Sequence, residues 1–230
     1  MLELKDVTIN YKKKNILQDV NIHASEGEII GFLGANGSGK STLLSVIAGV
    51  KKVEKGTIKL NDIILGNTPD EYRKHIGYVP QENPLIMEIS AIDNLRIWSE
   101  KSKEDMLKEI SNEPLSILGV SGFANKKVSS LSGGMKKRLS ITATLITKPD
   151  VLLMDEPLAA LDMVAKHDIM EYILAFKEKG GTILIVSHEE MVLNFCDRIY
   201  FLNEGRVNEV DKNSGLSYIE MLRGKANVLQ

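Results

Sequence analysis

The sequence predicts an α/β fold with a parallel sheet at its core, an antiparallel β subdomain near the start and an inserted helical subdomain. Three observations predict this. The compact apolar runs EIIGFLG, VLLMD and TILIV are separated by helical patterns, the first residues alternate between apolar and polar, and an amphipathic stretch from Ser90 to about Lys126 interrupts the strands. A length of 230 residues suits one domain, 1–230, with the helical subdomain at approximately 85–145.

The first strands are predicted to form antiparallel pairs with one buried face. Apolar residues alternate with polar ones at Leu2, Leu4, Val7 and Ile9, and again at Leu17, Val20 and Ile22. Near the end of the chain, IYFL, a turn at 203–205 and RVNEV predict an edge hairpin, followed by a polar tail. Between VLLMD and TILIV lies one predicted helix, so these two strands should be parallel.

Composition excludes several classes of function. The net charge of -2 gives no global reason to expect a nucleic-acid partner, and the basic run Lys12 to Lys14 is interpreted as a solvated turn. The single Cys196 cannot form an internal disulfide and is predicted to be buried, in a reducing, cytoplasmic setting. No apolar run approaches the ~20 residues of a membrane helix. Any work at a membrane is therefore expected to need a partner.

A glycine-rich loop, GANGSGKS, follows the first buried strand and precedes a helix. In this context the spacing predicts a P-loop, because glycines let backbone amides face a triphosphate and the helix start adds positive charge. Lys40 is expected to reach the β- and γ-phosphates, and the Ser41 hydroxyl to bind Mg²⁺. The alternative is an ordinary glycine turn. The predicted nucleotide-binding residues of the loop are Gly34, Ala35, Asn36, Gly37, Ser38, Gly39, Lys40, Ser41 and Thr42.

Two further motifs surround this loop. Asp155 and Glu156 end a buried strand, where open α/β sheets gather ligands; Asp155 is suited to hold Mg²⁺ and Glu156 to activate the attacking water. Taken alone, such a pair could be an exposed acidic strand end. The LSGGM segment opens a helix, with Ser132 as a predicted N-cap and a second anion site at its free amides. Two anion sites for one nucleotide predict a two-chain arrangement.

With these motifs in place, the sequence resembles the ATP-binding subunit of ABC transporters over nearly the whole chain. The resemblance depends on motifs in the family's order: GANGSGKST, YVPQE, LSGGM, LLMDEP, AALD and VSHE. It implies a P-loop NTPase fold, ATP and Mg²⁺ as ligands, and an ATPase that drives transport through a separate membrane permease. It further implies a second ATP-binding subunit, alike or different, and a cytoplasmic location on the inner face of the membrane.

The resemblance also implies roles for single residues. Tyr11 matches an aromatic that stacks on adenine, with strand packing as its alternative. Gln81 matches a residue that touches Mg²⁺ or the attacking water, and His188 one that contacts the γ-phosphate and acts in catalysis with Glu156 and Lys40. Ser132, Gly133 and Gly134 would contact the γ-phosphate held by the opposite subunit, and Asp162 would bridge the two subunits.

Some positions depart from the family pattern. Met135 stands where glutamine is usual, Leu158 and Ala159 where small polar residues are frequent, and Glu189 where aspartate is frequent; we expect these to tune activity without removing it. The string GGMKKRLSI resembles drug or lipid exporters more than solute importers, which favours export. The alternatives are an importer subunit, a soluble ABC ATPase of translation or DNA repair, a regulatory subunit that does not hydrolyse ATP, and a P-loop kinase.

Overall fold

The structure is a computed structural model and describes residues 1–11 and 14–227. Of the turn predicted at Lys12 to Lys14, Lys12 and Lys13 lie outside the described residues, whereas Lys14 is the first residue of a strand and not part of a turn. The strands of the described part are β1 (Leu2–Tyr11), β2 (Lys14–Ala24), β3 (Ile29–Leu33), β4 (Lys55–Leu60), β5 (Ile63–Ile64), β6 (Ile76–Val79), β7 (Val151–Asp155), β8 (Thr182–Val186), β9 (Arg198–Asn203) and β10 (Arg206–Val210). The helices are α1 (Lys40–Ile47), α2 (Pro69–Lys74), α3 (Ala91–Arg96), α4 (Lys103–Ile110), α5 (Gly133–Leu145), α6 (Met163–Glu178), α7 (Glu190–Phe195) and α8 (Lys212–Asn227).

The first part of the chain forms a four-stranded antiparallel sheet in the order β2-β1-β4-β5, as predicted. Leu4 pairs with Ile22 on one side and with Ile58 on the other. The alternation of buried and exposed residues slips by one between Leu4 and Val7, where the register shifts and Asp6 adopts a positive φ of 51°. The extra residue of this bulge lets the apolar side chains before and after it face the same core.

The second sheet has six strands in the order β10-β9-β3-β8-β7-β6. Strands β9, β3, β8, β7 and β6 are parallel, and β10 pairs antiparallel with β9 as the predicted edge hairpin. Every residue of β3, β7 and β8 is buried, which is typical of parallel strands covered on both faces. The carboxyl ends of these three strands therefore lie side by side at one edge of the sheet.

Two hydrophobic clusters cover the faces of the large sheet. On one face, side chains such as Ile30 and Leu153 pack with α1 and with the antiparallel sheet. On the other face, Ile29 and Met154 pack with the helices and with short 3-10 turns of the region between β6 and β7. Since alternate residues of one strand serve different layers, the sheet is held between an antiparallel layer and a helical layer.

The end of the described chain differs from the prediction. Instead of a polar tail, Lys212–Asn227 forms helix α8, whose Ile219 is 2% exposed. Tyr218 meets the ring of Phe201 edge-on, with the ring centroids 4.7 Å apart. Apolar residues at Leu216 and Ile219, three positions apart, give this mostly polar helix one buried face.

Cys196 is buried, as predicted, and burial raises the pKa of its thiol to about 12. Within the described ranges, no helix combines the length and apolar character needed to cross a membrane.

Candidate functional site

A cleft of about 760 Å³ opens at the carboxyl edge of the large sheet. The loops that follow β3, β7 and β8 form its walls, and β2 and the segment after β6 complete it. The lining residues are Ile16, Asn36, Gly37, Gly39, Lys40, Ser41, Thr42, Gln81, Asp155, Glu156, Ala159, Ala160, Val186, His188 and Glu189. The predicted glycine loop, the predicted carboxylate pair and the predicted histidine thus meet in one place.

The glycine loop is shaped by close backbone contacts. Gly34 has a φ of 154°, and a Cβ there would lie 2.3 Å from the carbonyl oxygen of Leu202. Gly39 has a φ of 111° and lies against the carbonyl of Ile16, 3.1 Å from where its Cβ would be. Only glycine combines these dihedrals with such close neighbours. The loop is thereby fixed between β9 and β2.

Helix α1 begins at Lys40 with an open N-terminus. Its N-cap, Gly39, has no side chain to cap the helix, and the backbone N–H of Leu43 donates to the Gly39 carbonyl at 2.8 Å. The amides of the first turn before Leu43 are therefore available to an anion at the positive end of the helix dipole. The hydroxyl oxygen of Ser38 is buried beside them and has no hydrogen-bond partner among the described residues.

Lys40 is 8% exposed, and its ammonium lies across the glycine loop. It donates hydrogen bonds to the carbonyls of Gly34 at 2.7 Å and Ala35 at 3.0 Å. Burial lowers the pKa of Lys40, and the neighbouring Glu156 and Asp155 oppose that effect. A partly desolvated cation at the mouth of an amide-lined loop is a site for a phosphate group.

The two adjacent carboxylates have different surroundings. Asp155 is the last residue of β7 and is 3% exposed. At Glu156 the backbone turns to a φ of 47°, and its N–H donates to the Val186 carbonyl at 2.9 Å. Burial raises the pKa of Glu156 to about 7, outweighing the His188 backbone amide and Lys40. A carboxylate whose pKa lies near neutrality is matched to the work of a general base.

His188 lies beside that base. Its Nε2 is 3.4 Å from Oε1 of Glu156, and its buried Nδ1 has no hydrogen-bond partner within the described part of the chain. Burial, followed by the charge of Lys40, lowers the pKa of His188, which favours the neutral ring. The next residue, Glu189, forms an ion pair of 2.6 Å with Lys166 of α6. This ion pair fastens the loop that carries His188 to the helix behind it.

The cleft offers oxygen ligands suited to Mg²⁺. The Ser41 hydroxyl, the Gln81 amide and the Asp155 carboxylate all line it. The described residues contain no cluster of three His, Cys, Asp or Glu side chains that could hold a metal alone. One carboxylate with neutral oxygen donors fits Mg²⁺, which usually completes its shell with water and substrate phosphates.

Eight predicted residues lie outside this lining. Three belong to the glycine loop itself, Gly34, Ala35 and Ser38, and the other five are Tyr11, Ser132, Gly133, Gly134 and Asp162. Tyr11 ends β1 and is 68% exposed. Ser132 caps α5 as predicted, its hydroxyl accepting the N–H of Met135 at 3.2 Å. Asp162 caps α6, accepting the N–H of Ala165 at 2.8 Å.

The starts of α5 and α6 are packed against each other. A Cβ on Gly134 would lie 2.9 Å from the Cβ of Ala165 and 3.7 Å from a carboxylate oxygen of Asp162. Ser132 and Gly133 are exposed beside this contact. The two helix starts therefore form one surface, which is separate from the cleft of the same chain.

The positions that depart from the family pattern have ordinary surroundings. Leu158 is fully buried in the core, whereas Ala159 is exposed at the cleft. Met135 is partly buried against the hydrophobic cluster of the helical layer. None of the three removes a group from the phosphate loop or from the carboxylate pair.

Sequence reasoning missed two lysines near the site. Lys137 is 4% exposed and donates to the backbone of Pro80 and Gln81, and Lys166 anchors Glu189. One signal for Lys137 was present. It shares a helical face with the buried Gly134 and Ile141, at spacings of three and four residues.

Comparisons with known proteins agree with this geometry. A family model described as ABC transporter matches residues 17–159. The linearmycin resistance ATP-binding protein LnrL of Bacillus subtilis (strain 168) is 32% identical over 219 residues, which are 94% of this chain and 70% of LnrL. The spermidine/putrescine import ATP-binding protein PotA of Mesoplasma florum is 35% identical over 214 residues, which are 91% of this chain and 61% of that protein.

A solved structure of similar shape is the dimeric, post-hydrolysis state of the ATP-binding cassette MJ0796 bound to ADP and Pi. It has a TM-score of 0.82 at 32% identity and covers 92% of this chain and 99% of its own. A second dimeric structure of MJ0796 gives a TM-score of 0.82 at 31% identity. The family match, these relatives and the cleft give one conclusion: the chain belongs to the ABC transporter family and is one of its ATP-binding, ATP-hydrolysing domains.

Proposed function

We propose that two copies of this domain, or one copy and a similar subunit, close around two ATP molecules and thereby drive a separate membrane permease. The observation that carries the proposal is the separation, within one chain, of the phosphate-loop cleft from the helix start at Ser132. The glycine loop and carboxylates line one cleft, while the exposed Ser132 lies at the joined starts of α5 and α6. A second chain would bring its Ser132 to the open side of the first chain's nucleotide.

In the proposed site, the glycine loop and the first turn of α1 bind the phosphates of ATP. Lys40 would exchange its two carbonyl contacts for the β- and γ-phosphate oxygens, which are stronger acceptors because they are charged. Exposed Tyr11 would stack on the adenine ring. Ser41, Gln81 and Asp155 would hold Mg²⁺, which when bound neutralises negative charge on the phosphates.

Hydrolysis then needs an oriented water and a base. Glu156 would accept a proton from the water as the water oxygen forms a bond to the γ-phosphorus. The bond from that phosphorus to the bridging oxygen breaks, and its electron pair stays on the ADP. His188, held beside Glu156 at 3.4 Å, would contact the γ-phosphate and keep the water in line.

The two-chain arrangement can be tested with a slow variant. Glu156→Gln should bind ATP and remain as a closed dimer, seen by light scattering. Adding Ser132→Arg should return it to a monomer that still binds ATP, because the cleft of each chain is intact. Ser111→Arg, an equal charge at the exposed end of α4, is the control. A dimer that survives Ser132→Arg would contradict the proposal.

A groove beside the cleft is a candidate docking surface for a membrane partner. It has a volume of about 280 Å³ and is lined by residues of β6, of α5 and of the segment after β6, among them Tyr78, Leu85 and Trp98. Ile86, Ile97 and Trp98 expose about half of their surface nearby, with fractions of 47%, 51% and 59%. Exposed apolar side chains around a groove are typical of a protein contact. We propose that the cytoplasmic side of the permease docks there.

A substitution in the groove should affect docking of the permease without affecting ATP hydrolysis. Trp98→Asp should abolish transport by the assembled complex while the isolated subunit keeps its basal ATPase activity within about twofold, since Trp98 does not line the cleft. The control is Lys108→Asp, at an exposed position of α4 outside the groove lining. Loss of the basal ATPase in Trp98→Asp would show that the groove belongs to the catalytic site.

The direction of transport stays a prediction. The GGMKKRLSI segment favours export. The similar proteins include LnrL, named for resistance, and PotA, named for import.

A further inference from the structure

Lys137 is a buried cation that the catalytic scheme above does not use. It is 4% exposed and lies on α5, just over one turn after the N-cap Ser132. Its ammonium donates to the carbonyl of Pro80 at 3.1 Å and to that of Gln81 at 2.9 Å. Hydrogen bonds from a charged donor in a buried site are among the stronger polar contacts of a protein.

The same helix is attached to this segment at a second point. The Thr144 hydroxyl, two turns further along α5, lies 3.4 Å from the carbonyl of Tyr78 in β6. Further along the segment, the N–H of Ile86 donates to the side chain of Asn94 at 2.8 Å, so the segment is attached at several points and Lys137 supplies the attachment at Gln81. Lys137 therefore fixes the main chain at Gln81, the residue that lines the cleft with Asp155.

We propose that Lys137 is a positioning residue for ATP hydrolysis, which clamps the main chain of Pro80 and Gln81 to α5 and so directs the Gln81 side chain into the cleft. This inference rests on the proposed function, in which Gln81 meets Mg²⁺ or the attacking water. This arrangement places both proposed nucleotide contacts on one helix. Ser132, at the start of α5, would face the partner's nucleotide. Gln81, which would face the chain's own nucleotide, is held by Lys137, five residues after Ser132.

The experiment is a double-mutant cycle on ATPase activity of the purified full chain. Lys137→Met keeps the length and apolar stem of the side chain but removes the three donors; we expect kcat to fall about tenfold, equal to about 1.4 kcal/mol, with KM for ATP within about twofold. Lys137→Arg restores a charged donor and should keep kcat within about threefold of wild type. Lys136→Met, a partly exposed neighbour on the same helix, is the control and should leave kcat unchanged.

The deciding measurement combines Lys137→Met with Gln81→Ala. If Lys137 acts through Gln81, the second substitution should change kcat less than about twofold in the Gln81→Ala background, because the side chain that it positions is already absent. A full further tenfold loss would overturn the inference and leave Lys137 a purely structural residue. An equal loss in Lys137→Met and Lys137→Arg, or no loss in Lys137→Met, would overturn it as well.

Two further results keep the test clear. If Lys137→Met does not give folded protein by thermal unfolding, Lys137→Gln, a neutral donor of shorter reach, takes its place in the same cycle with the same criteria. If Gln81→Ala alone keeps wild-type kcat, the role of Gln81 in the proposed function is what fails, and the inference falls with it. If only the inference about Lys137 fails, Gln81→Ala still lowers kcat, and the double variant loses the product of the two single losses.

Discussion

Replacing Glu156 by glutamine should make the nucleotide-free chain more stable at alkaline pH. Burial raises the pKa of this carboxyl from 4.5 to about 7. Between these values the folded chain holds the proton more tightly than the unfolded chain does. The contribution of Glu156 to stability is thus fully present below pH 4.5 and is lost as the pH rises through 7.

The size of the loss follows from the same shift. A tenfold change in proton affinity corresponds to about 1.4 kcal/mol, so the shift from 4.5 to about 7 lowers the free energy of unfolding above pH 8 by about 3 to 3.5 kcal/mol relative to pH 4 and below, and part of this loss is complete by pH 5. The Glu156 side chain is only 16% exposed, so little of this is screened by solvent. Glutamine has no proton to lose. The advantage of Glu156→Gln should therefore grow by about 2 to 3 kcal/mol between pH 5 and pH 8.5.

Urea unfolding in EDTA, without nucleotide, measures this difference at each pH. Glu88→Gln, the same change at an exposed position outside the helices and strands, is measured beside it as the control. If Glu156→Gln and wild type kept a constant difference from pH 5 to 8.5, the carboxyl would have an ordinary pKa when folded. Burial would then not prepare Glu156 to act as a base.

Three other outcomes are expected. Lys40→Met should weaken binding of a fluorescent ATP analogue by about 10- to 100-fold, because charged hydrogen bonds of about 1.5 to 3 kcal/mol are lost; binding within twofold of wild type would contradict the role of Lys40. Chelation by EDTA should stop phosphate release, and added Mg²⁺ should restore it, because Asp155 is the only carboxylate among the proposed metal ligands; full activity in EDTA would contradict that ligand set. Gly181→Ala should lower the free energy of unfolding by about 2 kcal/mol or more, since its Cβ would lie 2.2 Å from the Phe176 ring. Gly122→Ala, with nothing within 4 Å of the new methyl group, should change stability by less than about 1 kcal/mol, and equal effects in a urea titration would contradict the packing argument.

The sequence was a good guide wherever local chemistry decides the structure. The glycine loop needs positive φ angles and close backbone neighbours, and at Gly34 and Gly39 these demands leave only one residue type. Ser132 was recognisable as an N-cap because capping is a contact within one turn. The buried strands were equally clear, since both of their faces are apolar.

Features that depend on distant parts of the chain were harder to predict. Lys137 stands in the run KKR, which by itself is typical of a solvated helix face, and only the fold brings two backbone carbonyls to its ammonium. The pairing of Lys166 with Glu189 joins positions 23 residues apart. Helix α8 was missed because its apolar residues are few, and its burial depends on the face offered by β9.

The contact between Gly34 and Leu202 has a practical consequence for protein engineering. Exposed hairpin turns usually accept inserted tags and reporters. Here the β9 backbone touches the phosphate loop, and in the turn that follows the Gly205 carbonyl accepts a hydrogen bond from the N–H of Gln18 at 2.8 Å. A fluorescent protein grafted into this turn would pull on the strand that shapes the nucleotide pocket. A label should therefore be placed elsewhere, because this edge of the molecule supports the nucleotide site.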